Sequence, residues 1–350
     1  MQRFSLLFLL SIFSGTSLAL VCNQIQSSQI SDGNTVFIPG PDGNLQSLPA
    51  NFNCTYTISV PVNHTDGFYA KVNLKNGLKG ANDFIIVTEI DGTATTVTNR
   101  TIMLDGRYLY FVTPGAQMTI QVTTRSVLMG SKFSITVDFY AVKLGPPAPL
   151  KTGSEMNYID VKHMNQVNNE MAFVTYGDSE PMQLSVASTW NVTSFVYCYI
   201  LDGTFANSVS IKKLENFGLL TTNYMTLVSF SLEDNLQFVV NPQSEAQPLS
   251  ALIATHADKT PHKFFISDYG IFKPEALQVV NFDSIGIVLD ELIIMSNPCK
   301  AYVLSGPPNN SSEVLLDLST NPPMPQTFNR KYLTLLEEDC AFSIIVKSSN

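Results

Sequence analysis

The chain is short of charge, histidine, tryptophan and cysteine, and each shortage removes a class of function. Of its 350 residues only 14% are charged, with Lys and Arg totalling 20 against 29 Asp and Glu. The basic residues are scattered, whereas binding to nucleic acid requires a clustered cationic face. The 4 histidines, His64, His163, His256 and His262, are dispersed. His256 and His262 share the polar stretch "THADKTPHK" and read as solvated loop residues, since a metal would need further converging ligands. None of the 5 cysteines is spaced as C-x-x-C, which excludes the common zinc signatures. The single tryptophan, Trp190, reads as a strand anchor. No metal and no cofactor is expected.

Long apolar runs are also missing. Beyond the amino terminus no segment approaches the roughly 20 apolar residues that cross a bilayer, so no transmembrane segment is expected. The final "DCAFSIIVKSSN" lacks the hydrophobic tail that precedes lipid-anchor transfer. At the start, Met1 to Arg3 precede the apolar "FSLLFLLSIF", and Ser17 and Ala19 are small. This is the pattern of a secretory signal peptide over residues 1–19, cut near Ala19.

What the chain does contain fits that route. Sequons occur at Asn53, Asn63, Asn99, Asn191 and the overlapping pair Asn309 and Asn310. An oxidising compartment would close thiols into structural bridges. The favoured pairs are Cys22 with Cys54 and Cys299 with Cys340, leaving Cys198. Pairing of Cys198 with Cys299 is an open alternative, because spacing does not fix connectivity. The expected localisation is extracellular, with retention at a cell surface or in a secretory or lysosomal compartment left open.

Strand patterning dominates. In "NCTYTISV", Cys54, Tyr56, Ile58 and Val60 alternate with polar residues, which places Asn53 on the opposite, outer face. "FYAKVNL", "MTIQV" and "KFSITVDF" repeat the alternation, and glycine turns follow "DFIIVTEIDG" and "RYLYFVTPG". Short strands with frequent turns predict an all-β sandwich fold. The proline-rich "KLGPPAPLKTGS", residues 143–154, reads as a linker. Three echoes then appear: "EIDGT" at 89–93, "ILDGT" at 200–204 and "VLSGP" at 303–307. Each is followed by a similar strand, "MTIQV", "MTLVSF" or "LTLLEE". The expected division is 20–142, 155–248 and 249–350, with the last two alternatively forming one domain. "PEALQVVNFDSIGIVLDELIIM" is a candidate for a short helix.

The stretch "LPANFNCTYTISVPVNHTDGFYAKVNL" and the run "GANDFIIVTEIDG" resemble a CUB domain, a secreted jelly-roll sandwich. The order "NCTYTI", "YAKV", "ND", "PG" and "SKF" is similar to that of the CUB-like proteins of nematodes over roughly residues 22 to 142. The resemblance implies a CUB-like jelly-roll β-sandwich at the amino terminus followed by one or two further β-sandwich units. It implies that Cys22 and Cys54 match the first CUB bridge. The second cysteine pair of typical CUB domains is absent. Asp83 matches a calcium-ligand aspartate of that family, but Asn73, Lys75 and Asn76 stand where an acidic partner is expected, so it is a weak metal candidate beside a turn-capping role. Nematode relatives are associated with secretion from gut tissue and with responses to pathogens.

For chemistry, Gly177-Asp178-Ser179 in "FVTYGDSEP" is similar to the nucleophile block of a lipase-esterase family. A serine nucleophile needs a histidine oriented by a carboxylate, and the only Asp-x-x-His string, Asp160 to His163, lies upstream. No catalytic residue is therefore expected. The leading reading is a secreted, non-enzymatic recognition or adhesion module for an unknown protein or glycan ligand. A serine hydrolase using Ser179 and a structural coat component cross-linked through Cys198 are the alternatives.

Overall fold

The computed structural model describes residues 22, 24–62, 67–101, 108–126, 130–167, 171–187, 198–213, 222–230, 237–267, 273–296 and 298–349. The signal segment, Asn63, His64, Trp190 and Asn191 lie outside the described residues. The fold is all-β, built from sheets packed in pairs around separate cores.

The first pair contains β1 (Thr35–Ile38), β2 (Gln46–Ser47), β3 (Asn53–Ser59), β4 (Gly67–Gly77), β5 (Phe84–Thr88), β6 (Ala94–Thr98), β7 (Tyr108–Val112), β8 (Gln117–Thr123) and β9 (Lys132–Val142). One sheet has the order β1-β9-β4-β7 and the other β3-β8-β5-β6. The alternation read from the sequence decides the facing: Tyr56, Ile58, Val72, Leu74, Ile120 and Ile135 all enter the shared core.

The second pair contains β10 (Ala148–Pro149), β11 (Asn157–Asp160), β12 (Asn165–Val167), β13 (Met171–Gly177), β14 (Met182–Val186), β15 (Cys198–Gly203), β16 (Ser208–Lys213), β17 (Tyr224–Ser229) and β18 (Gln237–Pro242). Its sheets are β10-β13-β17-β15-β16 and β11-β18-β14. Part of the proline-rich stretch is therefore strand, since Ala148 and Pro149 pair in parallel with Tyr176 and Gly177. After β18 comes α1 (Gln243–Ala246).

The third pair contains β19 (Ala251–His256), β20 (His262–Ser267), β21 (Glu275–Val280), β22 (Ile287–Ile294), β23 (Ala301–Leu304), β24 (Val314–Asp317), β25 (Gln326–Phe328), β26 (Tyr332–Glu337) and β27 (Ala341–Ser348). Its sheets are β19-β21-β26-β23-β24 and β20-β27-β22-β25. The segment considered for a helix is instead β21 and β22, whose Val, Ile and Leu runs favour a pleated, buried surface.

The strand order repeats. Reading across one sheet of each sandwich, β3-β8-β5-β6 corresponds to β13-β17-β15-β16 and to β21-β26-β23-β24. The opposing sheets correspond as β1-β9-β4, β11-β18-β14 and β20-β27-β22. The echoes noted in the sequence fall on equivalent places, at the ends of β5, β15 and β23, and their following strands are β8, β17 and β26. In the second and third sandwiches the same hydrogen bond recurs: Thr226 Oγ1 donates to the Gly203 carbonyl at 3.0 Å and Thr334 Oγ1 to the Gly306 carbonyl at 2.6 Å. Gly203 has φ +130, a conformation that side chains other than glycine rarely adopt.

The sandwiches stack face to face. At the first junction Tyr69, Phe111 and Val142 of the β1-β9-β4-β7 sheet join Phe173, Tyr199, Val228 and Phe230 of the next sandwich in one apolar cluster. Phe111 and Phe230 stack at 3.7 Å with an interplanar angle of 6°. At the second junction Met156, Ala187 and Val239 meet Val280, with Tyr158 edge-on to Phe282 at 5.3 Å. A reciprocal amide pair crosses it: Asn241 Nδ2 donates to Gln278 Oε1 at 2.9 Å and Gln278 Nε2 to Asn241 Oδ1 at 2.7 Å. Both side chains are buried, so each satisfies the other where no water reaches.

That pairing sets an asymmetric expectation. Asn241→Leu alone strands the Gln278 amide and should cost about 2–3 kcal/mol, whereas Asn241→Leu with Gln278→Leu should recover most of the loss. Urea unfolding of both variants and of the Gln278→Leu single measures the coupling.

Candidate functional site

A crevice of about 620 Å³ opens on the first sandwich, between the edge strands β1 and β3. The segment after the first disulfide builds one wall. Cys22 is bonded to Cys54, which fixes the chain beside β3. Gln24 then serves the open edge of that strand: its Nε2 donates to the Thr55 carbonyl at 2.8 Å and its Oε1 accepts from Thr57 N–H at 2.9 Å. An edge strand otherwise presents unpaired backbone groups, and this side chain covers two of them. Gln26 N–H donates to Gln29 Oε1 at 2.8 Å, closing a 3-10 turn over Ser27–Gln29.

Ile25, Ile38, Pro39 and Pro41 give the crevice apolar sides, and Phe37, 37% exposed, stands at the rim. Tyr56 belongs to both the core and the crevice lining; its ring lies 5.8 Å from Phe133. The Tyr56 hydroxyl has no hydrogen-bond partner among the described residues, and burial pushes its pKa up to about 12, so it stays neutral. None of the lining residues is charged. The amides of Gln26 and Gln29, the Ser28 hydroxyl and the aliphatic walls suit an uncharged ligand with hydrogen-bonding groups. Sequence reasoning missed this site. Its visible signals are the glutamines of "NQIQSSQ" and the prolines of "FIPGP", whose spacing suggests a capped turn beside a bend.

Asp83 is built into the opposite kind of environment. It is 1% exposed, and every contact is a donor from the protein: Arg125 N–H at 2.8 Å and Ser126 N–H at 3.0 Å to Oδ1, and Ser131 Oγ at 2.6 Å to Oδ2. Burial pulls its carboxyl upward, but the hydrogen bonds from Ser131, Arg125 and Ser126 prevail and hold it below its ordinary value. Ser131 Oγ also accepts from the Lys79 and Gly80 N–H groups. A Cβ on Gly80 would collide with Asp83 and Ser126. The carboxylate thus ties the β4–β5 and β8–β9 loops together. No group of three or more His, Cys, Asp or Glu poised for a metal is found among the described residues.

Ser179 lies in an exposed turn, where its N–H donates to Asp178 Oδ1 at 2.6 Å and its carbonyl accepts from Asn223 Nδ2 at 3.1 Å. Asp160 and His163 do pair, at 3.2 Å, but elsewhere. Asp160 sits opposite Gln237 at one end of β18, and Met182, just after Ser179, sits opposite Pro242 at the other. About 17 Å of strand separates them at roughly 3.4 Å per residue.

The histidine reading needs correction. His256 ends β19 and is buried, and His262 begins β20, so neither is a solvated loop residue. Burial lowers the His256 pKa, opposed by Asp283, Asp258 and Asp160. Its Nε2 stands 3.6 Å from Asp283 Oδ2, beyond hydrogen-bonding reach. His262 Nε2 lies 2.9 Å from Asp258 Oδ1.

Cys299 is bonded to Cys340, so the alternative bridge between Cys198 and Cys299 is not formed. Cys198 lies in the core of the second sandwich, 0% exposed, out of reach of a second chain. Among the sequons, Asn53, Asn99 and Asn310 are exposed. Asn309 is different: its Nδ2 donates both to the Gly153 carbonyl at 2.9 Å and to Glu245 Oε1 at 2.5 Å. Attachment of a sugar leaves that nitrogen one hydrogen and ends one of the two bonds.

Two outcomes follow. Asp83→Ala should destabilise the protein by about 3 kcal/mol, because three donors lose their acceptor. Since the folded carboxyl sits below its unfolded value near ~3.9, its contribution is present above that pH and fades as the solution is acidified through the folded value. Thermal melts against pH, with and without the substitution, test this, and calcium or a chelator should leave the melting temperature unmoved. Separately, in protein expressed through a glycosylating secretory pathway, Asn310→Gln should remove a glycan and Asn309→Gln should not, as peptide mass spectrometry reads directly.

No curated protein matches the chain. Among solved structures, the CUB1-EGF-CUB2 domains of rat MASP-1 align at 12% identity over 93% of this chain and 100% of that one, with a TM-score of 0.26. The corresponding human MASP-1/3 domains align at 13% identity over 90% and 99%, with a TM-score of 0.23. Residues 17–143, which include the amino-terminal sandwich with its disulfide and crevice, match the model of the CUB-like domain family.

Proposed function

We infer that the protein is a secreted glycoprotein acting as a non-enzymatic recognition module in a pathogen response, and that the crevice beside β1 and β3 is where it recognises an uncharged protein or glycan surface. The observation that carries this reading is the uncharged, amide-lined crevice on a CUB-like domain, a domain type commonly used for extracellular recognition. Two disulfides suit an oxidising compartment, and no described helix is long and apolar enough to cross a membrane. The likeness to nematode CUB-like proteins supports the pathogen setting. The repeated strand order supports a division at 20–142, 155–248 and 249–350. Against a hydrolase stands the separation of Ser179 from the Asp160 and His163 pair.

Binding of the purified glycoprotein to bacterial surfaces, glycan arrays and secreted host proteins tests the reading. Gln29→Glu keeps the oxygen that caps the turn but brings a charge to the crevice, and should weaken binding about tenfold, roughly 1.4 kcal/mol. Absence of binding to every surface removes the recognition role. Binding that Gln29→Glu leaves intact moves the site elsewhere on the molecule.

A further inference from the structure

The two junctions use one rule. In each, the sheet formed by the strands equivalent to β1-β9-β4 turns its outer face to the following sandwich. The third sandwich has the equivalent sheet, β20-β27-β22, and nothing in the described chain covers it. Its inner face is spent on the core through Phe264, Ile344 and Leu292. Its outer face therefore presents their neighbours, and these are apolar: Phe265 is 51% exposed, Ile293 41% and Met295 52%. Phe265 and Ile293 flank Ser343 in one cross-strand row.

The opposite end of the stack is finished differently. The outer face of β3-β8-β5-β6 carries Asn53, Thr55, Thr57, Gln117, Thr119 and Gln121 around the half-buried Phe84 and Ile86, and a sequon lies on it. A polar end layer of this kind caps a repeat array and keeps it soluble. Head-to-tail addition of copies would press the apolar end of one chain onto that largely polar, sequon-bearing face of the next.

We propose that the outer face of β20-β27-β22 is an interaction surface for a second copy of this chain, paired tail to tail about a two-fold axis running along β27. The row above Phe265 supplies the reason for self-pairing: Lys263, Ile345 and Glu291 lie side by side across the three strands. Rotation about an axis parallel to β27 exchanges β20 with β22. Lys263 of one copy then faces Glu291 of the other, twice, with Ile345 meeting its own counterpart and Phe265 meeting Ile293. An isologous contact requires this self-complementarity. Lys347, which would approach its own copy, is already neutralised by Asp290 at 2.9 Å. Packed sheets keep their strands within about 30° of each other, which preserves the row-on-row match.

Sedimentation velocity of the secreted full-length chain over micromolar concentrations tests the pairing. The expected result is a particle of twice the chain mass that falls to a single chain in Phe265→Lys. Lys263→Glu alone and Glu291→Lys alone should each weaken association at least tenfold, and the two together should restore it. The charge exchange alters only exposed positions, so it reads the contact even if Phe265→Lys fails to fold. A wild-type monomer throughout, a dimer indifferent to these substitutions, or assembly growing beyond two copies would each overturn the proposal.

Discussion

Double-sided burial of the inner sheets is the constraint on which the molecule depends. A sheet in an ordinary sandwich buries one face, but the layers at the two junctions bury both. The sequence carries the difference. The strands β3, β5 and β8 of the outer layer alternate buried with exposed or half-buried positions, whereas β15, β17, β18 and β21 are buried almost continuously. Continuous burial leaves no room for unpaired polar groups, which is why Asn241 and Gln278 meet as a closed pair.

Repetition of one strand order explains how a chain with few charges and only two cross-links holds three cores. The residue before each echo glycine accepts a backbone N–H: Asp91 from Thr93, Asp202 from Thr222 and Ser305 from Glu313. The same turn is thus closed by a short polar side chain each time, while the reach of the partner changes from two residues to twenty. Local chemistry is kept and loop length varies, as connections on a fixed scaffold allow.

Much of this was legible beforehand. Period-two alternation gave the strands of the amino-terminal sandwich and the facing of Cys54, and the echoes marked equivalent strands, because both signals depend on residues close in sequence. Longer-range facts were not legible. Nothing in "GAND" shows that Asp83 will gather donors from residues 125, 126 and 131, some 42 to 48 positions away. The polar look of "THADKTPHK" concealed a buried His256, since its cover comes from Phe282 and the second junction. The Asp-x-x-His string gave a true local pair at Asp160 and His163, but only the register of β18 shows how far that pair stands from Ser179.

The placement of the two disulfides has a consequence for the middle of the molecule. Cys22–Cys54 belongs to the first sandwich and Cys299–Cys340 to the third, while the second is held by neighbours instead of sulfur. Its surroundings are other parts of the same polypeptide on two sides. Excised from its flanks, that central portion would turn Phe173, Tyr199, Phe230 and Tyr158 outward into water, and an interior that is quiet within the whole would become an adhesive fragment.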